Sequence, residues 1–391
     1  MKIIVLKFGG TSVGSLGRIK KISHIITSYL KKKCKVIVVT SAMSGVTNEL
    51  IAKSRKISPE FDKAEYDVLV STGEQISCAL ISARLNHLGY LSRSYLGWQI
   101  PILTDTNYSN AKISNIFKKE LLKFINLGGV PIIAGFQGLN LDNRITTLGR
   151  GASDYTAIMI SKFFKAEKCI IYTDVIGVMT TDPRIYKKAR KIKEISYEEM
   201  MEMSSLGSKV MQSNSVQDAR LSRININVRS SFNQKAGTLI TKKKNIKSRK
   251  IIRGISSSSD DAKITLVGVI DKPGIAASIF EPLSKNNINV DIVVQNISAN
   301  GKETDVTFTI KQIDLNKTIK ILKNNKKIKY KKILTDRKVS KVSIIGVGMI
   351  TTSGVTYRMF KALSKKNINI LVISTSEIKI TVLINRKNMK K

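Results

Sequence analysis

The sequence predicts an α/β protein in which a mostly parallel sheet flanked by helices is followed by two small, duplicated α/β modules. Two observations predict this fold. In the first 240 residues, short β-branched apolar runs alternate with loops and amphipathic helices, a pattern typical of buried parallel strands. Further along, the chain repeats itself at an offset of 78 to 80 residues.

Four apolar runs of the first part are the strongest strand candidates. Each run is rich in β-branched residues and ends in glycine or polar residues: IIVL, VIVVT, VPIIAGF and CIIYTD. Ligand sites in parallel sheets lie at the carboxyl ends of the strands. We therefore expect a functional site in the loops that follow these runs.

The tail contains an internal repeat. The two copies begin at Lys263 and Lys341, and Gly274 corresponds to Gly354 in matched positions. Each copy is predicted to contain a strand, a glycine loop, an amphipathic helix and two further strands. One such unit cannot bury both faces of its sheet, so we expect the two copies to pack together.

Length and composition indicate a cytoplasmic globular protein. A chain of 391 residues with 42% apolar residues favours two or three domains with substantial cores. No apolar run reaches the roughly 18 residues that span a bilayer, so we expect no membrane association. The chain starts directly with a strand-like segment, MKIIVLKFGG, rather than with a signal peptide.

Cysteine and histidine usage excludes two classes of site. Cys34, Cys78 and Cys169 are odd in number and widely separated, which argues against a disulfide framework or a zinc site. His24 and His87 are the only histidines. Catalysis that depends on a histidine base is therefore nearly excluded.

The strongly basic composition has two interpretations. There are 67 Lys and Arg residues against 28 Asp and Glu, a formal net charge of +39, as expected of a nucleic-acid-binding protein. However, the excess is spread over every segment, and no aromatic residues interleave with it in stacking motifs. We favour a basic surface without a specific nucleic-acid partner, which would still bind polyanions at low salt.

The first candidate motif, Lys7-Phe8-Gly9-Gly10, directly follows the first predicted strand. Glycines let the backbone approach phosphate oxygens closely, and a lysine can neutralise charge on a transferred phosphoryl group. The alternative interpretation is a tight turn between strand and helix. The motif is not a Walker A loop, because GxxxxGK[ST] does not occur in the sequence.

The second motif is TTLGRGASD, from Thr146 to Asp154, which leads into a predicted helix. Ser153 or Asp154 is expected to cap that helix, whose first-turn N–H groups form an anion site. Arg150, between two glycines, could hold a carboxylate through two parallel hydrogen bonds. A purely structural cap would explain the Ser-Asp pair but not the arginine and its flanking glycines.

The third motif runs from Tyr172 through Thr173-Asp174 to the turn Thr181-Asp182-Pro183-Arg184. A strand end followed by Asp, Gly and an Asp-Pro-Arg turn is compatible with a nucleotide pocket. Without the other motifs it would indicate only a turn.

Together the motifs resemble the monofunctional aspartokinases of the amino-acid-kinase superfamily. The resemblance covers nearly the whole chain and rests on an ordered set of short segments. They are KFGG, Ser41-Ala42-Met43, Ser71-Thr72-Gly73-Glu74, Ala134-Gly135-Phe136-Gln137-Gly138, TTLGRGASD, TDPR, Val228-Arg229-Ser230-Ser231, and the DKPG and STSE of the tail.

The resemblance implies a fold and its boundaries. A carbamate-kinase-like catalytic domain is expected at 1–241, and a linker with one strand at 242–262. Two ferredoxin-like ACT modules are expected at 263–336 and 337–391. The second module is shorter than the family pattern, and a strand from Ile251–Ile255 is a candidate to complete it.

The resemblance also implies site residues. Lys7, Arg150 and Asp154 are the catalytic candidates. The candidates for binding ATP, which would bring Mg²⁺ with it and require no separate protein metal site, are Lys7, Phe8, Gly9, Gly10, Ser41, Thr173, Asp174, Met179, Asp182, Arg184 and Lys209. The candidates for binding L-aspartate are Thr47, Glu74, Arg150, Gly151, Ser153 and Asp154.

Regulation is implied by the paired tail. Members of this family are inhibited by lysine, threonine or both at ACT interfaces, and tandem modules suggest a homodimer or higher oligomer. The matching positions are Asp271, Gly274, Asn289, Asp291, Gln295, Val355, Asn369, Ser374, Thr375, Ser376 and Glu377. The alternative is that Asn289 and Asn369 only end helices and start strands.

The sequence departs from the family pattern at several positions. Ile176 and Met179 stand where the family has an aspartate and an aromatic residue, and Thr351-Thr352-Ser353 lacks the usual His-Pro before Gly354. Two other functions stay open. One is a kinase for glutamate or a similar carboxylate, and the other is an amino-acid-sensing or basic nucleic-acid-binding protein on an inactive kinase scaffold.

Overall fold

The computed structural model describes residues 2–149, 151–205, 210–233, 235–246, 250–297 and 303–391. The chain forms two compact units. The first comprises Met1–Thr180 and Lys188–Arg249, and the second comprises Thr181–Lys187 and Lys250–Lys391. None of the helices within the described ranges is long and apolar enough to cross a membrane.

The first unit alternates strands and helices. Its strands are β1 Ile3–Phe8, β2 Lys35–Thr40, β3 Ser92–Tyr95, β4 Ile102–Thr104, β5 Ile113–Ile116, β6 Val130–Ala134, β7 Gln137–Leu139, β8 Ile145–Thr147, β9 Lys168–Thr173, β10 Glu194–Ser196, β11 Ile226–Ser230 and β12 Thr238–Thr241. Its helices are α1 Leu16–Lys31, α2 Val46–Ile57, α3 Lys63–His87, α4 Lys119–Asn126, α5 Ser153–Phe163, α6 Tyr197–Ser205 and α7 Ser213–Leu221.

Eight of these strands form the main sheet, in the order β10-β12-β11-β9-β1-β2-β6-β3. All neighbouring pairs are parallel except β11 with β12. The four runs singled out in the sequence are β2, β6, β9 and most of β1, so the mostly parallel α/β prediction is confirmed. A small second sheet, β5-β4-β7-β8, was not predicted.

The two faces of β1 have different neighbours. Ile4, Leu6 and Phe8 pack in a buried cluster with residues of α1 and α3. Because side chains alternate along a strand, Lys7 points to the opposite face. Helix α5 packs on β1 and supplies the partner of Lys7, as described below.

The second unit contains two antiparallel four-stranded sheets, as expected of ACT modules. Its strands are β13 Gly254–Ser258, β14 Asp261–Ile270, β15 Val290–Ile297, β16 Glu303–Lys311, β17 Lys332–Asp336, β18 Val339–Ile345, β19 Ile370–Thr375 and β20 Lys379–Asn385. Its helices are α8 Ile275–Lys285, α9 Leu315–Asn324 and α10 Val355–Ser364. The sheet orders are β15-β16-β14-β17 and β13-β18-β20-β19.

One strand of the second of these sheets, β13, precedes all strands of the other sheet in the chain. Strand β13 pairs antiparallel with β18, with Gly254 opposite Ile345. It lies three residues further along the chain than the segment 251–255 suggested by the sequence. The chain thus enters the second module, forms the first, and then returns.

The repeated glycines have a backbone explanation. Gly274 and Gly354 precede α8 and α10 with φ of +85° and +78°, a conformation that glycine adopts without strain. Asn287 and Asn367 follow the same two helices with φ of +56° and +51°, as asparagine often does at helix ends. The repeat therefore preserves how each helix begins and ends.

A buried lysine links the two modules. Lys341 in β18 is 3% exposed, and its Nζ lies 3.6 Å from Asp261 Oδ2 at the start of β14. The same Nζ also bonds Asp291 Oδ2 in β15. Lys311 Nζ contacts the other oxygen of Asp261 at 3.0 Å. The charge of Asp261 is thus compensated largely by Lys341 and Lys311.

Replacing Lys341 with methionine is expected to lower the free energy of unfolding by about 3 kcal/mol, because it leaves a buried carboxylate with one cation fewer. Denaturant unfolding measures the effect. The matched control is Lys285→Met, since the Lys285–Glu281 pair is exposed, 72% and 57%, and should matter little. Equal midpoints for both variants would contradict a structural role of the buried pair.

Candidate active site

Lys7 and Asp154 form a buried ion pair at the centre of the main sheet. Lys7 is the last residue but one of β1, between β9 and β2, and is 8% exposed. Its Nζ lies 2.7 Å from Oδ1 of Asp154, in the first turn of α5. The structure thus brings together two of the three predicted catalytic residues.

The glycines after Lys7 lie where backbone segments come close. The Gly9 N–H donates to the Tyr172 carbonyl at 3.0 Å, and a Cβ on Gly10 would lie 3.0 Å from the Ala42 carbonyl. The Phe8 side chain is fully buried and stacks on Tyr172, with ring centroids 5.0 Å apart. Any contact of Phe8 with a ligand would therefore be through its backbone.

Helix α5 begins differently from the prediction. Its N-cap is Ala152, and no side chain caps it among the described residues. The expectation that Ser153 or Asp154 caps the helix was wrong, since both lie inside its first turn. Asp154 instead pairs with Lys7 from the first turn of the helix.

The loop before α5 requires glycine on both sides of position 150. Gly149 and Gly151 have φ of +85° and +76°, and a Cβ on Gly151 would lie 2.6 Å from Gln212 Nε2. Arg150 and Lys209, which the sequence placed in the aspartate and ATP sites, lie outside the described residues.

One cavity of about 460 Å³ is lined by residues that the sequence assigned to both ligands. Gly10 and Ser41 come from the predicted ATP site, and Thr47, Glu74, Gly151 and Ser153 come from the predicted aspartate site. Eleven further lining residues were assigned to neither ligand from the sequence, among them Asn48, Tyr66, Ser109, Phe136 and Thr147. Phe136 belongs to the quoted AGFQG segment and has φ of +69°, which no sequence pattern indicated.

Glu74 is the buried carboxylate of this cavity. It is 3% exposed, and its Oε1 accepts the Ala42 N–H at 3.0 Å. Among the described residues, no group hydrogen-bonds its buried Oε2. Burial raises the pKa of Glu74 to about 7, although the Ala42 and Glu74 N–H groups and Lys7 oppose this rise. A cationic ligand would compensate the charge that burial disfavours.

Thr173 and Asp174 lie at the same edge of the sheet as the glycines. Thr173 ends β9, next to β1, and Asp174 follows it; the Thr173 hydroxyl donates to Asp174 Oδ1 at 2.9 Å. The Thr173 carbonyl accepts the Ser231 N–H. Met179 is half-buried and forms an isolated bridge with Lys191.

Asp182 and Arg184 belong to the second compact unit. The Arg184 guanidinium is held by the carboxylate of its own turn, with Nη2 2.6 Å from Asp182 Oδ2. The Asp-Pro-Arg turn is therefore stabilised locally, a pairing that the sequence did not suggest.

Four further residues contact one another at the end of β11, and the sequence assigned them no role: Arg18, Ser12, Ser231 and Phe232. Arg18 donates to the Ser231 carbonyl at 2.9 Å and to its hydroxyl at 2.8 Å. The Ser231 hydroxyl also lies 2.8 Å from that of Ser12. The guanidinium carbon of Arg18 lies 3.6 Å from the centroid of the Phe232 ring. The only signal was the VRSS segment, which was quoted for its resemblance without a function.

The predicted regulatory residues occupy different positions in the second unit. Asn289 lines a cavity of about 500 Å³ between α8 and β15. Asp291 pairs with Lys341. Asp271 is exposed, and Gln295 lies in β15. Val355 begins α10 and is buried, Asn369 precedes β19, Ser374 and Thr375 end that strand, and Ser376 and Glu377 follow it.

Comparison with known proteins gives the family. The amino acid kinase family model matches residues 2–230, and an ACT domain model matches 264–325 and 342–391. The chain is 44% identical to the aspartate kinase of Pseudomonas putida, over the whole chain and 95% of that protein. It is 41% identical to aspartokinase 2 of Bacillus subtilis, over the whole chain and 96% of that protein.

Solved structures agree with the sequence comparison. Aspartokinase III of E. coli in complex with aspartate and ADP superposes with a TM-score of 0.82 at 25% identity, covering all of this chain and 97% of that one. The same enzyme in complex with lysine and aspartate superposes with a TM-score of 0.79. The chain therefore belongs to the amino acid kinase family and, within it, to the aspartokinases, which are phosphotransferases with a carboxyl group as the acceptor.

Proposed function

We propose that this protein transfers the γ-phosphate of ATP to the β-carboxylate of L-aspartate, giving ADP and 4-phospho-L-aspartate. The observation that carries the proposal is one arrangement of the first unit. The Lys7–Asp154 pair lies at the strand edge that also bears the cavity with Glu74, Thr47 and Ser153. A relative of the same fold, aspartokinase III of E. coli, binds aspartate and ADP.

The two ligands would share the site as follows. ATP would lie along Lys7, Gly9, Gly10 and Thr173. There the backbone of the glycines, which carry no side chain, and the Lys7 ammonium suit phosphate oxygens. The remaining ATP contacts that we infer are Phe8, Ser41, Asp174, Met179, Asp182, Arg184 and Lys209. Aspartate would fill the cavity beside Thr47, Glu74, Arg150, Gly151, Ser153 and Asp154.

Charge decides the orientation of aspartate. Glu74, with an oxygen that accepts no hydrogen bond from the described residues, suits the α-ammonium, and Arg150 suits the α-carboxylate. The β-carboxylate then points at ATP. It is ionised at neutral pH, so it attacks phosphorus without a general base, and a protein with only two histidines can catalyse the reaction.

Catalysis would rest on position and charge. Lys7 would bind the oxygens on which negative charge accumulates during transfer, and Asp154 would hold its ammonium in place. Mg²⁺ bound to the phosphates would neutralise further charge on ATP. Asp174, exposed directly after β9, would contact such a complex.

We further infer that the enzyme opens the pathway from aspartate to lysine, threonine, methionine and diaminopimelate, and that its ACT modules mediate feedback inhibition. Lysine, threonine or both would bind the ACT modules of a homodimer or higher oligomer. The cavity at Asn289 supports this, as does the lysine complex of the E. coli relative. Three unpaired cysteines support a cytoplasmic location.

A coupled assay of ADP release tests this function. With ATP and Mg²⁺, we expect turnover with L-aspartate, turnover at least tenfold lower with L-glutamate, and none without an acceptor. Lysine and threonine, titrated separately and together, are expected to inhibit. Equal turnover with glutamate would favour a broader carboxylate kinase, and no turnover with either would contradict the enzymatic proposal.

A further inference from the structure

We propose that Asp67 is a positioning residue that fixes the width of the amino-acid cavity by joining two of its walls to the helix that carries Glu74. This inference rests on the proposed function, because it concerns the same cavity. No motif in the sequence pointed to Asp67, and it does not line the cavity itself.

Asp67 is a fully buried carboxylate in α3 with four hydrogen bonds. Its Oδ2 accepts the Ser109 N–H at 2.8 Å and the Thr147 N–H at 2.7 Å. Its Oδ1 accepts the Ser109 hydroxyl at 3.1 Å and the Thr147 hydroxyl at 2.6 Å. All four donors thus belong to two residues, and both residues line the cavity. Hydrogen bonds to a charged acceptor are the strong ones.

The first wall that Asp67 holds is the turn at Ser109. This residue has φ of +66°, a left-handed conformation that is strained for residues other than glycine. Such a conformation persists only where the surroundings over-determine it. Asp67 supplies that constraint by accepting both the N–H and the hydroxyl of Ser109.

The second wall is the start of the loop that contains Gly149 and Gly151, which we call the glycine loop. Thr147 is the last residue of β8, and Gly149 follows two residues later. A Cβ on Gly149 would lie 3.0 Å from Asn110 Oδ1, next to Ser109. The Thr147 carbonyl also accepts the Ala111 N–H at 2.9 Å. The two walls therefore contact each other, and Asp67 sets where both lie.

Helix α3 carries both Asp67 and Glu74. The two carboxylates are seven residues apart in one continuous helix, so they share a face and are separated by about 10 Å along the axis. The distance from Glu74 to the glycine loop is then fixed by a rigid element. Aspartate and glutamate differ by one methylene, which a cavity of fixed width can discriminate about 10- to 200-fold.

Two substitutions separate geometry from charge. Asp67→Ala removes all four bonds. Asp67→Asn can keep them, because its amide oxygen can accept both N–H groups while its NH₂ donates to the two hydroxyls, which can also accept. We expect Asp67→Ala to raise KM for aspartate about tenfold and to lower the preference for aspartate over glutamate about tenfold. KM for ATP should stay within about twofold.

The controls test whether the role is only structural. Asp67→Asn should recover KM and the aspartate preference to within about threefold of wild type. Glu199→Gln alters another fully buried carboxylate, which accepts the Ser196 N–H at 3.0 Å outside the cavity, and should lower stability without changing KM. Should Asp67→Ala fail to fold, Thr147→Val removes the 2.6 Å bond alone and is expected to raise KM for aspartate about threefold.

Calorimetric titration with L-aspartate measures how these substitutions change the affinity for aspartate, and it does not require turnover. No binding by the wild type would contradict both the proposed function and this inference. A second outcome would contradict this inference alone. In it the wild type binds aspartate tightly, and a folded Asp67→Ala variant keeps the same affinity and the same preference for aspartate. If Asp67→Ala does not fold, the same result with Thr147→Val would count instead. An Asp67→Asn that behaves like Asp67→Ala would also overturn it, because charge rather than geometry would then decide.

Discussion

Replacing Lys7 with methionine is expected to lower kcat about 10³-fold or more, because the variant loses the ammonium that stabilises charge on the transferred phosphoryl group. KM for aspartate should change much less, since Glu74 and the glycine loop stay in place. The coupled assay at saturating ATP and aspartate measures the loss. Lys2→Met is the control, because the Lys2–Glu167 pair flanks the same strand but Lys2 is 77% exposed.

The Lys7 variant also leaves Asp154 without its buried partner. Removing one member of such a pair costs about 3–5 kcal/mol, so low activity could reflect unfolding. The double variant Lys7→Met/Asp154→Asn removes the uncompensated charge and should recover much of the stability. It should nevertheless stay inactive. Recovery of activity together with stability would show that Lys7 acts only in folding.

Binding of aspartate is expected to weaken as the pH falls below about 7. Burial raises the pKa of Glu74 from 4.5 to about 7, and only the ionised form attracts an ammonium group. KM for aspartate should therefore be constant above this pKa and rise about tenfold per pH unit below it. Glu74→Gln should raise KM about 30-fold at pH 8, a loss of about 2 kcal/mol, and abolish the dependence.

The same shift affects stability with the opposite sign. A carboxyl group whose pKa is raised by folding contributes stability that is fully present below pH 4.5 and lost as the pH rises through about 7. Without ligand at pH 8, Glu74→Gln should therefore be more stable than wild type, by up to about 3 kcal/mol. Urea unfolding at pH 5 and pH 8 measures this. A Glu74→Gln variant that is less stable at pH 8 would contradict a desolvated carboxylate in the cavity.

Local patterns predicted the elements and the position of the site well. The β-branched runs became neighbouring strands, and parallel pairing placed the loops after β1 and β9 at one edge. Lys7 and Asp154 were both named from their motifs. Their direct pairing at 2.7 Å depends on α5 packing over β1, which neither motif contains.

Contacts between distant residues account for most of what the sequence did not predict. Asp67 pairs with Ser109 and Thr147, 42 and 80 residues away. Its only signal was the seven-residue spacing to Glu74, which puts both on one helix face. The Lys341 bond to Asp291 spans 50 residues and changes the expectation for Asp291, whose carboxylate already has an ammonium partner. Effector recognition by Asp291 would have to share or displace that partner.

The most direct test of the account is a crystal structure with L-aspartate and a non-hydrolysable ATP analogue bound together. We expect the α-ammonium of aspartate within about 3 Å of a Glu74 oxygen, its β-carboxylate facing the terminal phosphate, and that phosphate against the Lys7 ammonium. Aspartate and nucleotide in separate cavities, with Lys7 and Arg150 facing different ones, would contradict it.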